Sequence, residues 1–164
     1  MESQGGSKPT FDMASMSMAT KGVLITGILL LIDSFLPWQK FCAEITGVQT
    51  FCAKWSAWNG SGGFFGLMMG IALIVLLLFE GSQLANMNMN MQLPVSRAKA
   101  AAYLGFAVVV FGLLKFLLVL TSEVSAGFGA WIGVILLAAM AYASFLYFKS
   151  DDTVVAPPPP ATEL

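Results

Sequence analysis

A chain of 164 residues that is 57 % hydrophobic and only 10 % charged departs from the soluble norm, in which about a quarter of residues carry charge. Its net charge of −1 excludes a strongly basic nucleic-acid surface. The lack of histidine removes the commonest general base, the commonest zinc ligand and any histidine-ligated haem.

Residues 1–21 are largely polar and read as a disordered cytoplasmic tail. The apolar run Gly22–Trp38 follows, with no small-residue cleavage site behind it. It therefore reads as a retained anchor and not a signal peptide. Three more runs, Gly62–Phe79, Ala98–Thr121 and Ser125–Phe148, also come near the ~20 residues that a membrane-crossing helix needs. The expected fold is all-α, a bundle of four transmembrane helices over residues 22–149 and a Pro-rich cytoplasmic tail over 150–164.

Charge sets the orientation. One side of the expected bundle holds Lys8, Lys21, Arg97, Lys99 and Lys149, and the other holds Lys40 and Lys54. Basic residues in short flanking loops stay inside, so both termini are expected in the cytoplasm of a plasma or bacterial inner membrane. Trp38, Trp55, Trp58 and Trp131 then fall at the outer interface, and Tyr103, Tyr142 and Tyr147 toward the inner one.

Within the first run, Asp33 stands five residues before Trp38, roughly 7 Å below the outer end at 1.5 Å per residue. Lys115 stands six residues before the end of the third run, at roughly 9 Å. The matching depths predict an intramembrane ion pair, Asp33–Lys115, because an isolated charge in a bilayer costs at least ~2.5 kcal/mol. Such a pair fixes helix 1 against helix 3, or forms an ion, proton or substrate site. Pro37 should kink or end the helix, since its ring cannot accommodate the Asp33 carbonyl.

The outer loop contains the two cysteines of the chain, Cys42 and Cys52, with Thr46-Gly47 between them. The segment predicts a small hairpin closed by a disulfide on the oxidising side. Trp38, Phe41, Phe51, Trp55 and Trp58 make the loop aromatic. They form either a headgroup-facing surface or a contact site for another membrane protein. Asn59-Gly60-Ser61 matches a glycosylation acceptor but abuts the second helix, where a transferase cannot readily reach.

Four spans with a Trp shortly before a Cys pair in the first outer loop resemble claudins and similar small tetraspan proteins. Trp38, Cys42, Thr46, Gly47 and Cys52 carry the resemblance. The family's Gly-Leu before the Trp stands here as Leu36-Pro37, and the second outer loop is nearly absent. The resemblance implies the same disulfide and a role in side-by-side assembly.

Gly62, Gly66 and Gly70 recur at intervals of four, as do Ser125, Gly129 and Gly133. Small residues so spaced let helix backbones approach in lipid, either inside one chain or between copies. The inner loop alternates Met87, Met89 and Met91 with Asn. Thioethers are soft enough for Cu(I) but also serve as adaptable apolar surface. No cofactor is expected. The end of the chain combines Pro157–Pro160 with Thr162-Glu163-Leu164, a polyproline segment and a PDZ-like terminus that would suit a cytoplasmic partner. No catalytic constellation is legible. The expected function is a non-enzymatic structural or accessory subunit, in contact with lipid and with other membrane subunits or further copies. The alternative is a small transporter or channel subunit that uses Asp33 and Lys115.

Overall fold

A computed structural model describes residues 17–45, 49–84 and 96–151. Seven elements follow in order: α1 (Met18–Asp33), β1 (Gln39–Ile45), β2 (Gln49–Trp55), α2 (Gly63–Leu84), α3 (Arg97–Thr121), β3 (Ser125–Ala126) and α4 (Phe128–Asp151). The amino-terminal tail, Thr46-Gly47, Met87, Met89, Met91 and the Pro-rich tail lie outside the described residues.

The protein is mostly helical. α2, α3 and α4 are long and apolar enough to cross a membrane, over Gly63–Ser82, Arg97–Thr121 and Phe128–Lys149. α1 has only 16 residues, about 24 Å of helix, and ends at Asp33 rather than at the expected Trp38. Pro37 is the reason. Its ring excludes the helical position of the Asp33 carbonyl, which instead accepts from Leu36 N–H at 2.9 Å and from Trp38 Nε1 at 3.1 Å. At the other end, Ser17 caps α1 by accepting from Thr20 N–H at 3.1 Å; Ser96 caps α3 through Lys99 N–H at 3.3 Å.

α3 packs on α2 and α4, and α1 packs chiefly on α4 with a smaller contact on α2. The core between them holds Val23, Leu30, Met69, Leu73, Leu76, Val108, Leu137 and Met140. Apolar side chains also cover the outside, with Leu78 68 % and Ile135 70 % exposed. Helices apolar all round belong to a large core or to a membrane. In a chain this short they are compatible with a membrane protein.

α2 runs five residues past its expected end and takes Glu80 into the helical interior. α4 starts three residues late, because Ser125 and Ala126 are held in β3 as partners of Lys40 and Gln39. The sheet has the order β2-β1-β3. β1 and β2 pair antiparallel over seven positions, with Cys42 opposite Cys52. The expected hairpin is therefore longer than the cysteine pair requires and gains a third strand from the α3–α4 connection. The disulfide Cys42–Cys52 closes it.

Candidate functional site

The sheet joins the helices at the end where α1 and α3 finish and α2 and α4 begin. Trp38 N–H donates to Trp55 O at 2.8 Å, Gly127 N–H to Trp38 O at 2.8 Å, Gly129 N–H to Pro37 O at 3.0 Å and Ala57 N–H to Ser34 O at 3.1 Å. Four connections thus meet around one short stretch, Ser34–Trp38.

The glycine stripes seat this junction rather than packing helix on helix as expected. A Cβ on Gly66 would run into the Ala57 carbonyl, and one on Gly70 into the indole of Trp58. Across the junction, a Cβ on Gly129 would lie 3.0 Å from Trp38 Cδ1, and one on Gly133 2.8 Å from Trp38 Cη2. Each stripe is a socket for one tryptophan. Gly62 serves differently: its φ of +71° turns the chain into α2, against Leu118 and Lys115. Ser125 is in β3 and not on the helix. Close helix–helix approaches fall elsewhere, at Gly22 on Ala143, Gly27 on Leu77, Gly105 on Ser144 and Gly112 on Leu137. A four-residue interval does not distinguish an aromatic ring from a helix backbone as the occupant, so the sequence could not assign it.

Two of the expected outer contacts are consequently turned inward. Trp38 is fully buried, and its indole N–H is taken by the Asp33 carbonyl. Trp58 donates to Ser34 Oγ at 3.1 Å and lies 5.7 Å from the Phe35 ring. Phe41 and Phe51 stay exposed, at 44 % and 66 %.

Asp33 and Lys115 are both buried, yet they are not bonded to each other. Lys115 Nζ donates to Asn59 O at 2.8 Å and to Ser61 O at 2.6 Å. It holds the turn that leads into α2. Those backbone carbonyls take the place of the expected carboxylate partner. Gln39 grips the same turn from β1: its Nε2 donates to Ser61 O at 3.0 Å and its Oε1 accepts from Ser61 N–H at 3.1 Å. Both Asp33 carboxylate oxygens are buried without a hydrogen-bond partner among the described residues. Oδ2 stands 2.9 Å from the place a Gly133 Cβ would occupy.

At the other end of the helices lies an acid that sequence reasoning missed. Glu80 of α2 is 1 % exposed. Its Oε2 accepts from Tyr147 OH of α4 at 2.7 Å, and the same phenol lies 2.8 Å from Thr20 Oγ1 of α1. Glu80 Oε1 is buried without a hydrogen-bond partner among the described residues. Arg97 caps the neighbouring turn, with Nη2 donating to Phe79 O at 2.8 Å and the guanidinium 4.7 Å over the Phe79 ring. The available signal was the spacing of Glu80 one residue beyond the expected helix end, where a longer α2 brings it inside.

No family model, curated protein or solved structure matches this chain. Of the residues that resemble the claudin pattern, Cys42 and Cys52 form the bond that the pattern implies.

Proposed function

We propose that the chain is a non-enzymatic membrane protein of four spans, with both termini cytoplasmic, that serves as a structural or accessory subunit of a membrane assembly. The observation that carries this reading is the anchoring of the hairpin. Trp38, Trp58, Gln39 and Lys115 are all engaged in fixing the sheet to the helix ends. A disulfide-closed projection held from several helices at once has a set attitude toward whatever lies beside it, as recognition without large entropy loss requires. Trp131 at the start of α4 and the exposed polar face of the hairpin, with Lys40, Glu44, Thr50 and Lys54, are the surfaces through which such contact is made. α1 completes its span with the turn Ser34–Trp38, and the basic residues Lys21, Arg97, Lys99 and Lys149 flank the cytoplasmic ends.

Purification from the native membrane under mild conditions tests the proposal. A stoichiometric second protein is the expected result. A chain recovered alone, or only as copies of itself, counts against an accessory role.

One observation favours a second reading, a transporter or channel subunit. Asp33 keeps both carboxylate oxygens buried with no hydrogen-bond partner among the described residues, and intramembrane acids of that kind mark ion or proton pathways. Flux that disappears in Asp33→Asn reconstituted alone would support it.

A further inference from the structure

The two faces of the hairpin differ in chemistry and in direction. Side chains alternate along a strand, so Gln39, Phe41 and Ala43 share one face with their partners Trp55, Ala53 and Phe51. Lys40, Cys42 and Glu44 share the other with Lys54, Cys52 and Thr50. The first face looks toward the helix ends. Gln39 on it is bonded to Ser61 at the start of α2, and Trp55 Cβ is 3.4 Å from where a Gly60 Cβ would lie.

Burial on that face falls away as the hairpin extends. Gln39 is 0 % exposed, Phe41 44 % and Phe51 66 %. From Gln39 to Ala43 the strand advances about 13 Å at ~3.3 Å per residue. The hairpin thus overhangs the helices, with two phenyl rings on its underside and an alanine opposite each. Lys40, Cys42, Glu44, Thr50, Cys52 and Lys54 on the upper face are all exposed.

The underside continues a surface that is already apolar. Phe35 after α1, Phe64 at the start of α2, and Phe128 and Trp131 at the start of α4 are exposed by 57 % or more. All four lie at the helix ends that carry the sheet. Aromatic residues at one level around a helical protein mark the membrane–water interface. An amphipathic element that overhangs this level with its apolar side down meets lipid, and its polar side meets water.

We propose that Phe41 and Phe51 rest on the outer headgroup–acyl boundary of the bilayer, so that the occupant of the hairpin underside is the lipid surface. The assignment rests on the membrane placement proposed above. It leaves Lys40, Glu44, Thr50 and Lys54 as the face open to a partner in the aqueous phase.

The test uses the full chain, disulfide intact, reconstituted in phosphatidylcholine vesicles and carrying one spin label at a time. Labels at Phe51→Cys, Thr50→Cys and Ile135→Cys are compared for collisions with oxygen, which concentrates in lipid, and with a water-soluble nickel chelate. The expected result groups Phe51→Cys with Ile135→Cys, both several-fold richer in oxygen collisions than Thr50→Cys. If Ile135→Cys reports lipid while Phe51→Cys matches Thr50→Cys, the assignment of the underside is overturned and the membrane placement stands. Chelate access at Ile135→Cys overturns both. A Phe51→Cys label reached by neither reagent shows protein covering the underside and overturns the assignment. Phe41→Cys, on the same face of the other strand, repeats the reading where Phe51→Cys disturbs pairing of the native thiols.

Discussion

The indole of Trp38 lies over Gly133, where a Cβ would stand 2.8 Å from Cη2. The ring belongs to the residue that leads from α1 into the sheet, and the glycine belongs to α4. Because Trp38 is also tied to the Asp33 carbonyl through its N–H, one side chain joins two helices and the first strand. The absence of a side chain at position 133 is what makes that junction possible.

Substitution at the sockets should therefore be costly. Gly133→Val and Gly70→Val each place carbon where an indole sits, and overpacking of this kind costs about 1–3 kcal/mol. Gly81, with nothing among the described residues within 4 Å of its Cβ position, is the control. Gly81→Ala should leave stability unchanged or raise it by up to about 1 kcal/mol through helix propensity. Thermal denaturation in detergent, followed by tryptophan fluorescence, separates the two classes.

Lys115→Met removes both bonds that hold the Asn59–Ser61 turn and should destabilise the protein by about 1–3 kcal/mol, the cost of leaving buried acceptors unpaired. Asp33→Asn breaks no hydrogen bond that the carboxylate makes among the described residues. In a double-mutant cycle the two changes should add to within about 0.5 kcal/mol. A coupling well above that would show that the two residues act as a pair.

Reduction of Cys42–Cys52, or its replacement by serines, opens a loop of sequence separation 10. The chain-entropy estimate puts the loss at about 2–3 kcal/mol. It should fall on the hairpin, because the helices are held by their own core. Far-ultraviolet circular dichroism should keep its helical signal, while proteolysis within β1 or β2 speeds up.

Tyr147→Phe deletes the donor to Glu80 Oε2 and the contact with Thr20. The expected loss is about 1–3 kcal/mol. Glu80→Leu in the Tyr147→Phe background should recover part of it, because it removes the acceptor that would otherwise stay unpaired. A stability curve for the two single variants and the double variant decides the matter. Additive losses would mean that the phenol and the carboxylate stabilise the helices independently.

Legibility in the sequence followed the range of the interaction. Pro37 ends α1 through a clash with a residue four positions back. Cys42 and Cys52 meet because the strands between them are short and β-compatible. Asp33–Lys115 failed for the opposite reason. Matching depth left open which groups face each other, and the backbone carbonyls of Asn59 and Ser61 hold Lys115 instead. Glu80 was missed because a small error in where α2 ends moves a carboxylate from the rim to the interior.

By itself the sequence determined four apolar runs, of which the last three form helices long and apolar enough for a membrane, and a disulfide-closed hairpin between the first two helices. Periodicity, proline geometry and local thiol spacing act over short distances along the chain, so they are written in it directly. Tertiary structure alone decided what occupies each glycine groove, which carbonyls hold Lys115, that the Asp33 carboxylate meets no hydrogen-bond partner among the described residues, and that β3 extends the sheet. Those outcomes depend on which faces of four separate elements meet. Residues with no periodic relation along the chain meet in the same space there.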